Sequence, residues 1–245
     1  MASLSGLFRH FRPRPPEGKA ATWLLVVMLA ALLAPEMAQA EMPAYLREAL
    51  GKFNPEVPRE WAYTVTTERD GKRTTERFDA SQPPENQWQL LLMEGRPPTA
   101  DEQTKYFKYK AGQAPGATQA TFKRNDIEPG TVELVRETAD RAEFTCAFRD
   151  ESAASDKMLA HLRLRLSVTR HDPHVEKYTL ELREPYSPVL GVKMHELLVE
   201  MTFAPPSAGR PSLPARSSSH FVGRIFFVPV EENLRYVYSD FVRLP

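Results

Sequence analysis

The chain is 245 residues long with 32 basic and 32 acidic side chains, so its formal net charge is zero and no excess of cations is present to follow a nucleic-acid backbone. A single cysteine excludes an intramolecular disulfide. A chain of this length can bury a core without covalent staples.

Arg9, Arg12, Arg14 and Lys19, against one acid, Glu17, precede an apolar run from Ala20 to Ala34 that only Thr22 interrupts. Pro35 and the small triplet Ala38-Gln39-Ala40 follow. A basic segment, a short apolar run and an A-x-A site make a secretory signal peptide, cleaved after Ala40. The run is shorter than the ~20 residues of a spanning helix, and its retention as an uncleaved anchor is the alternative. No adjacent arginine pair serves the twin-arginine route, and no cysteine near the cleavage site takes a lipid. The expected product is residues 41–245, a single β-rich domain free in the periplasm with no stable membrane span. Taking the four cations and two acids of residues 1–40 from 32 of each leaves 28 and 30 in that product.

Pro43 to Gly51 reads as a short amphipathic helix, with Tyr45, Leu46, Ala49, Leu50 and Phe53 at helical spacing. From Trp61 the period changes to two, and Asp70-Gly71 is a two-residue hairpin signal. The register it sets pairs Thr67 with Thr74, Val65 with Glu76 and Tyr63 with Phe78. Trp88 to Met93 is a short apolar element of either type. Thr99-Ala100-Asp101-Glu102 is a capping box that opens a helix over about 100–110.

Residues 111–130 and 204–219 read as long loops, the first rich in Gly, Ala, Thr and Pro, the second in Pro and Ser. Between them lie strands at Val132–Thr138, Ala142–Arg149, Leu162–Thr169, Val175–Glu184 and Val192–Phe203. A last hairpin has arms at His220–Pro229 and Leu234–Arg243, joined through Glu231-Glu232-Asn233. Strands dominate, short turns join them, and no βαβ alternation occurs. The expected fold is mainly β (α+β): a curled antiparallel sheet or unclosed β-barrel with an N-terminal helix and one inserted capped helix on one face.

Catalytic signals are absent. His171-Asp172-Pro173-His174 reads as a hairpin turn, since a closed zinc site needs four ligands and no partner cluster can be named. His195-Glu196-Leu197-Leu198-Val199 lacks the second histidine of a zincin helix. Cys146, in step with Phe144 and Phe148, reads as a small buried hydrophobe. No nucleophile elbow, P-loop or dinucleotide fingerprint is present, and no catalytic residue, metal or cofactor is assigned.

Apolar side chains exceed what one sheet face needs. Trp61, Tyr63, Phe78, Leu164, Leu166, Leu180, Leu182 and Phe227 are the candidates to line an apolar ligand cavity on a concave face. The alternative is an envelope scaffold or protein-interaction module with a filled core.

The order of these parts, signal peptide, helix 43–53, hairpin 61–78 and a long antiparallel run ending in the 220–243 hairpin, resembles the periplasmic outer-membrane lipoprotein-sorting carriers and receptors. The stretch Trp88 to Thr99 is similar to one in uncharacterised exported bacterial proteins of that fold. The resemblance implies an unclosed β-barrel lidded by helices and, as partner, a lipid or a lipidated protein. None of that family's ligand-contacting residues maps onto a position here. The two long loops and the capped helix are departures from the compact carriers.

Overall fold

A computed structural model describes residues 42–111 and 122–245; the signal-peptide reading of residues 1–40 lies outside them. Period-two alternation builds ten strands: β1 (Trp61–Arg69), β2 (Lys72–Phe78), β3 (Trp88–Met93), β4 (Glu133–Glu137), β5 (Arg141–Cys146), β6 (Leu162–Thr169), β7 (Val175–Leu182), β8 (Val192–Ala204), β9 (Leu213–Ile225) and β10 (Val228–Arg243). They form one sheet in the order β3-β2-β1-β10-β9-β8-β7-β6-β5-β4, antiparallel at every pair. From β4 to β10 the chain meanders, and β1 then adds beside β10. The sheet does not close, and β3 and β4 remain its edges.

The β1–β2 hairpin has the expected register, Tyr63 opposite Phe78, Val65 opposite Glu76 and Thr67 opposite Thr74. Asp70 (φ 48°) and Gly71 (φ 80°) both take left-handed backbone, which is why Asp-Gly serves there. In β6, strict alternation buries Leu162, Leu164, Leu166 and Val168 and turns Arg163 and Arg165 outward.

Helix α1 (Ala44–Lys52) lays Leu46, Ala49 and Leu50 on this apolar face, all at most 2 % exposed. Phe53, at its end, stacks on Phe122 at 5.2 Å and meets the edges of Phe203 and Tyr178. The main core is thus the face of β5–β8, closed by α1, Phe122 and Ile127. Helix α2 (Ala100–Ala111) begins in the predicted capping box. The Thr99 hydroxyl accepts from the Glu102 amide at 3.3 Å, and the Glu102 carboxylate accepts from the Thr99 amide at 2.7 Å. A further short helix, α3 (Asp150–Ser155), has no signal that the sequence reading resolved.

Two expectations are corrected. The Pro/Ser-rich segment 204–219 is not a long loop: β8 runs to Ala204, β9 starts at Leu213, and Ser207 and Arg210 close the short turn between them. Serines 217–219 pair on both sides, with β8 and β10, and such two-sided pairing overrides their weak strand preference. Pro214 is accommodated where the β8–β9 register shifts. Glu231-Glu232-Asn233 is likewise not a turn. The strands continue through it, and the reversal falls at Phe226-Phe227, between the paired Ile225 and Val228. Within 111–130, Phe122 and Ile127 are core residues at 1 % exposure and two short 3-10 turns follow, so only residues 112–121 remain without description.

Leu164→Ala, in the filled core, is expected to lower unfolding stability by about 2–5 kcal/mol in a denaturant titration. Leu190→Ala, at a site 98 % exposed, should change it by no more than about 0.5 kcal/mol.

Candidate functional site

Cross-strand partners share a face, so pairing traces one row through the whole sheet: Leu134, Phe144, Leu166, Tyr178, Met201, Ser217, Tyr236, Thr67, Thr74 and Met93. Its chemistry changes at β9. From β5 to β8 the row is apolar, buried and covered by α1. From β9 onward it turns to serine, tyrosine and threonine before ending at Met93, outside the core beneath α1.

On that second half sits an aromatic cluster. Tyr63 lies 5.3 Å from Phe78, 5.9 Å from Tyr238, and 6.0 Å from both Trp88 and Phe241, while Phe78 and Trp88 are 5.0 Å apart. All five rings are only half-buried. Simple alternation from Tyr236 and Tyr238 would send Phe241 to the opposite face. A register shift in the β1–β10 ladder, where Asp240 takes φ 51°, returns Phe241 to Tyr63.

Helix α2 is fastened over the β2–β3 side of this half. The Lys110 ammonium donates to the Glu76 carboxylate at 2.6 Å and lies 3.9 Å over the centre of the Trp88 ring. Tyr106, one turn earlier on the same helix side, is 8 % exposed. Burial raises the Tyr106 phenol above its ordinary value, and the neighbouring Glu76 charge adds to the effect. Burial likewise raises Tyr63, with Tyr238 contributing, and Tyr236. These phenols stay protonated at neutral pH and remain hydrogen-bond donors. Where α2 passes β3, an open cleft of about 410 Å³ is lined by Trp88, Leu90, Leu91, Asn86, Gln103 and Phe107.

The eight candidate lining residues do not form one site. Leu164, Leu166 and Leu180 are at most 1 % exposed and belong to the core beneath α1, and Leu182 packs against that core. Trp61 is buried at 7 %. Tyr63 and Phe78 stand in the aromatic cluster. Phe227 is 95 % exposed at the β9–β10 turn and lines nothing, because the reversal falls at Phe227 itself and not beyond it. The chain matches no protein-family model, no curated protein and no solved structure.

His174 is 8 % exposed, its Nδ1 lying 2.9 Å from the Thr169 hydroxyl and 2.8 Å from the Asp172 carbonyl in the turn between β6 and β7. Among the described residues, no group of three or more His, Cys, Asp or Glu could hold a metal, and no helix is long and apolar enough to cross a membrane. Cys146 is 4 % exposed, and burial pushes its thiol up to about 12. The sequence reading missed the fastening of α2. Its one legible signal is the placement of Tyr106 and Lys110 four residues apart behind a capping box.

The N-terminus of α2 carries its own pH dependence. Hydrogen bonds from Arg96, then from the Thr99 amide, hold the Glu102 carboxyl at about 2, against an ordinary 4.5. A lowered carboxyl stabilises the fold above its unfolded value, and that stabilisation fades as pH falls from about 4.5 to about 2. A carbon-detected NMR titration should place the Glu102 midpoint well below that of an ordinary glutamate. A midpoint near 4.5 would show the cap does not form in solution.

Proposed function

We propose that residues 41–245 act in the periplasm as a binder of an apolar ligand, an acyl chain or the lipid of a lipoprotein, seated on the inner face of β1–β3, β9 and β10. One observation carries this reading. The face that is a closed core over β5–β8 continues across the sheet as aromatic rings that stay half-buried, covered among the described helices only by α2 at its β2–β3 side. Apolar area left half-wet gains about 0.8 kcal/mol for each ligand methylene laid on it. The hydroxyls of Tyr63 and Tyr236, protonated donors, suit the polar end of such a chain. Helix α2, held by Lys110 to Glu76 and Trp88, is placed to act as a lid. The resemblance of the order of parts to lipoprotein-sorting carriers points to the same class of partner.

A second reading, an envelope interaction module, draws on β4. All five of its residues are exposed, Leu134 at 52 % and Val135 at 61 %, on an uncovered sheet edge.

Native mass spectrometry of the protein from an envelope extract should reveal a bound apolar mass, and a fluorescent fatty acid should be displaced from it. Tyr63→Ala and Tyr238→Ala should each weaken binding by about 1.5–3 kcal/mol, ten- to hundredfold, while Leu164→Ala lowers stability and spares affinity. A protein that copurifies with no apolar molecule and binds no fatty acid would end the carrier reading. Trapping of a protein on β4 by cross-linkers would then favour the second.

A further inference from the structure

The strands β8, β9 and β10 outrun their neighbours. Strand β7 stops pairing with β8 at Leu198, and β1 stops pairing with β10 at Leu234. Residues 192–197, 220–225 and 228–233 therefore continue as a three-stranded finger, about 20 Å long at ~3.3 Å per residue, flanked on β8 by a single bridge from Tyr186 to Met194.

The tip of that finger is apolar and open. Leu190 is 98 % exposed, Phe227 95 %, Phe226 70 %, Val228 63 %, Val189 62 % and Ile225 46 %. Two loops merge into this one patch. The Phe226 amide donates to the Gly191 carbonyl, and the Phe226 ring lies so close over Gly191 that a Cβ there would fall 2.7 Å from it. Phe226 also holds φ 54° at the first position of a two-residue hairpin turn, where glycine is the unstrained choice. A strained, exposed aromatic at such a turn is poorly explained by stability and fits a contact outside the chain.

Charge behind the tip is layered. Lys193 and Arg224 stand opposite each other in the first row back from Val192 and Ile225, both exposed. Glu196 and Glu231 flank Val222 two residues further back along β9. Apolar tip, then cations, then acids matches the order of acyl boundary, anionic phosphate and water across a bilayer surface. Six tip side chains fall well short of the 20–30 residues a side of a standard protein–protein interface.

We propose that this finger is a membrane-docking device that inserts Leu190, Phe226 and Phe227 into the headgroup–acyl boundary of an anionic phospholipid bilayer, with Lys193 and Arg224 on the phosphates. The inference does not depend on ligand binding in the aromatic hollow, which tip substitutions leave untouched.

The test is co-sedimentation of the protein, purified as the cell processes it, with vesicles of phosphatidylcholine alone or mixed with phosphatidylglycerol. Leu190→Ser with Phe227→Ser should reduce partitioning onto the mixed vesicles at least tenfold, with an unchanged melting curve and unchanged fatty-acid displacement. Lys193→Gln and Arg224→Gln should each cost roughly fivefold on mixed vesicles and leave phosphatidylcholine binding unaltered. Phe226→Gly should weaken partitioning while holding or raising the melting temperature. Phe227→Trp should be quenched by lipids brominated near the headgroup end of the chain. Equal partitioning of wild type and the double serine variant would overturn the proposal. So would self-association in sedimentation velocity that the same variant abolishes, if no vesicle binding accompanies it.

Discussion

An antiparallel ladder ten strands wide keeps each cross-strand row on a single face, because side chains alternate with a period of two and pairing preserves that phase. One face therefore has to be covered along its whole width, and the described helices α1 and α2 are short. Helix α1 spans nine residues and seals β5–β8; α2 spans twelve and is fixed over β2 and β3. What lies between is the aromatic region around Tyr63 and Tyr238. Among the described residues, the half-buried aromatic rings follow from this mismatch between a wide sheet and short helices.

The two halves differ in how they are held. Under α1, aliphatic and aromatic side chains interlock around Tyr178, Phe53 and Phe122, and stability there comes from burial. Beneath α2, the buried Tyr106 ring is joined by an ion pair and a cation on an indole, and a capping box fixes the start of the helix. Such polar contacts contribute less per residue than packed core and depend on pH and salt. The finger forms the end of the three longest strands, where beyond one bridge from Tyr186 to Met194 and the contacts of the β1–β2 turn with Glu232 and Asn233 the described support is β8, β9 and β10 themselves.

Much of this was legible in the residues. The Asp70-Gly71 turn, the β1–β2 register and the alternation of β6 follow from backbone geometry and period alone, both local properties. The Thr99–Glu102 cap is equally local. Long-range pairing was not legible. Serines 217–219 and the acids 231–232 carry weak strand preference, and only partners on both sides make them strand. With the reversal at Phe226-Phe227, Phe227 stands at the finger tip and not on the sheet face.

Sequence by itself determined an antiparallel, mostly β-stranded chain with a helix before it and a capped helix within it, since hydrophobic period, turn residues and caps act over a few residues. Tertiary structure decided which apolar side chains are core and which are surface. Leu164 and Phe227 look alike in an alternating pattern, yet one lies at 0 % exposure beneath α1 and the other at 95 % on a turn. Alternation fixes the side of the sheet a residue takes, whereas the reach of the covering helices and the ends of neighbouring strands fix whether that side is dry.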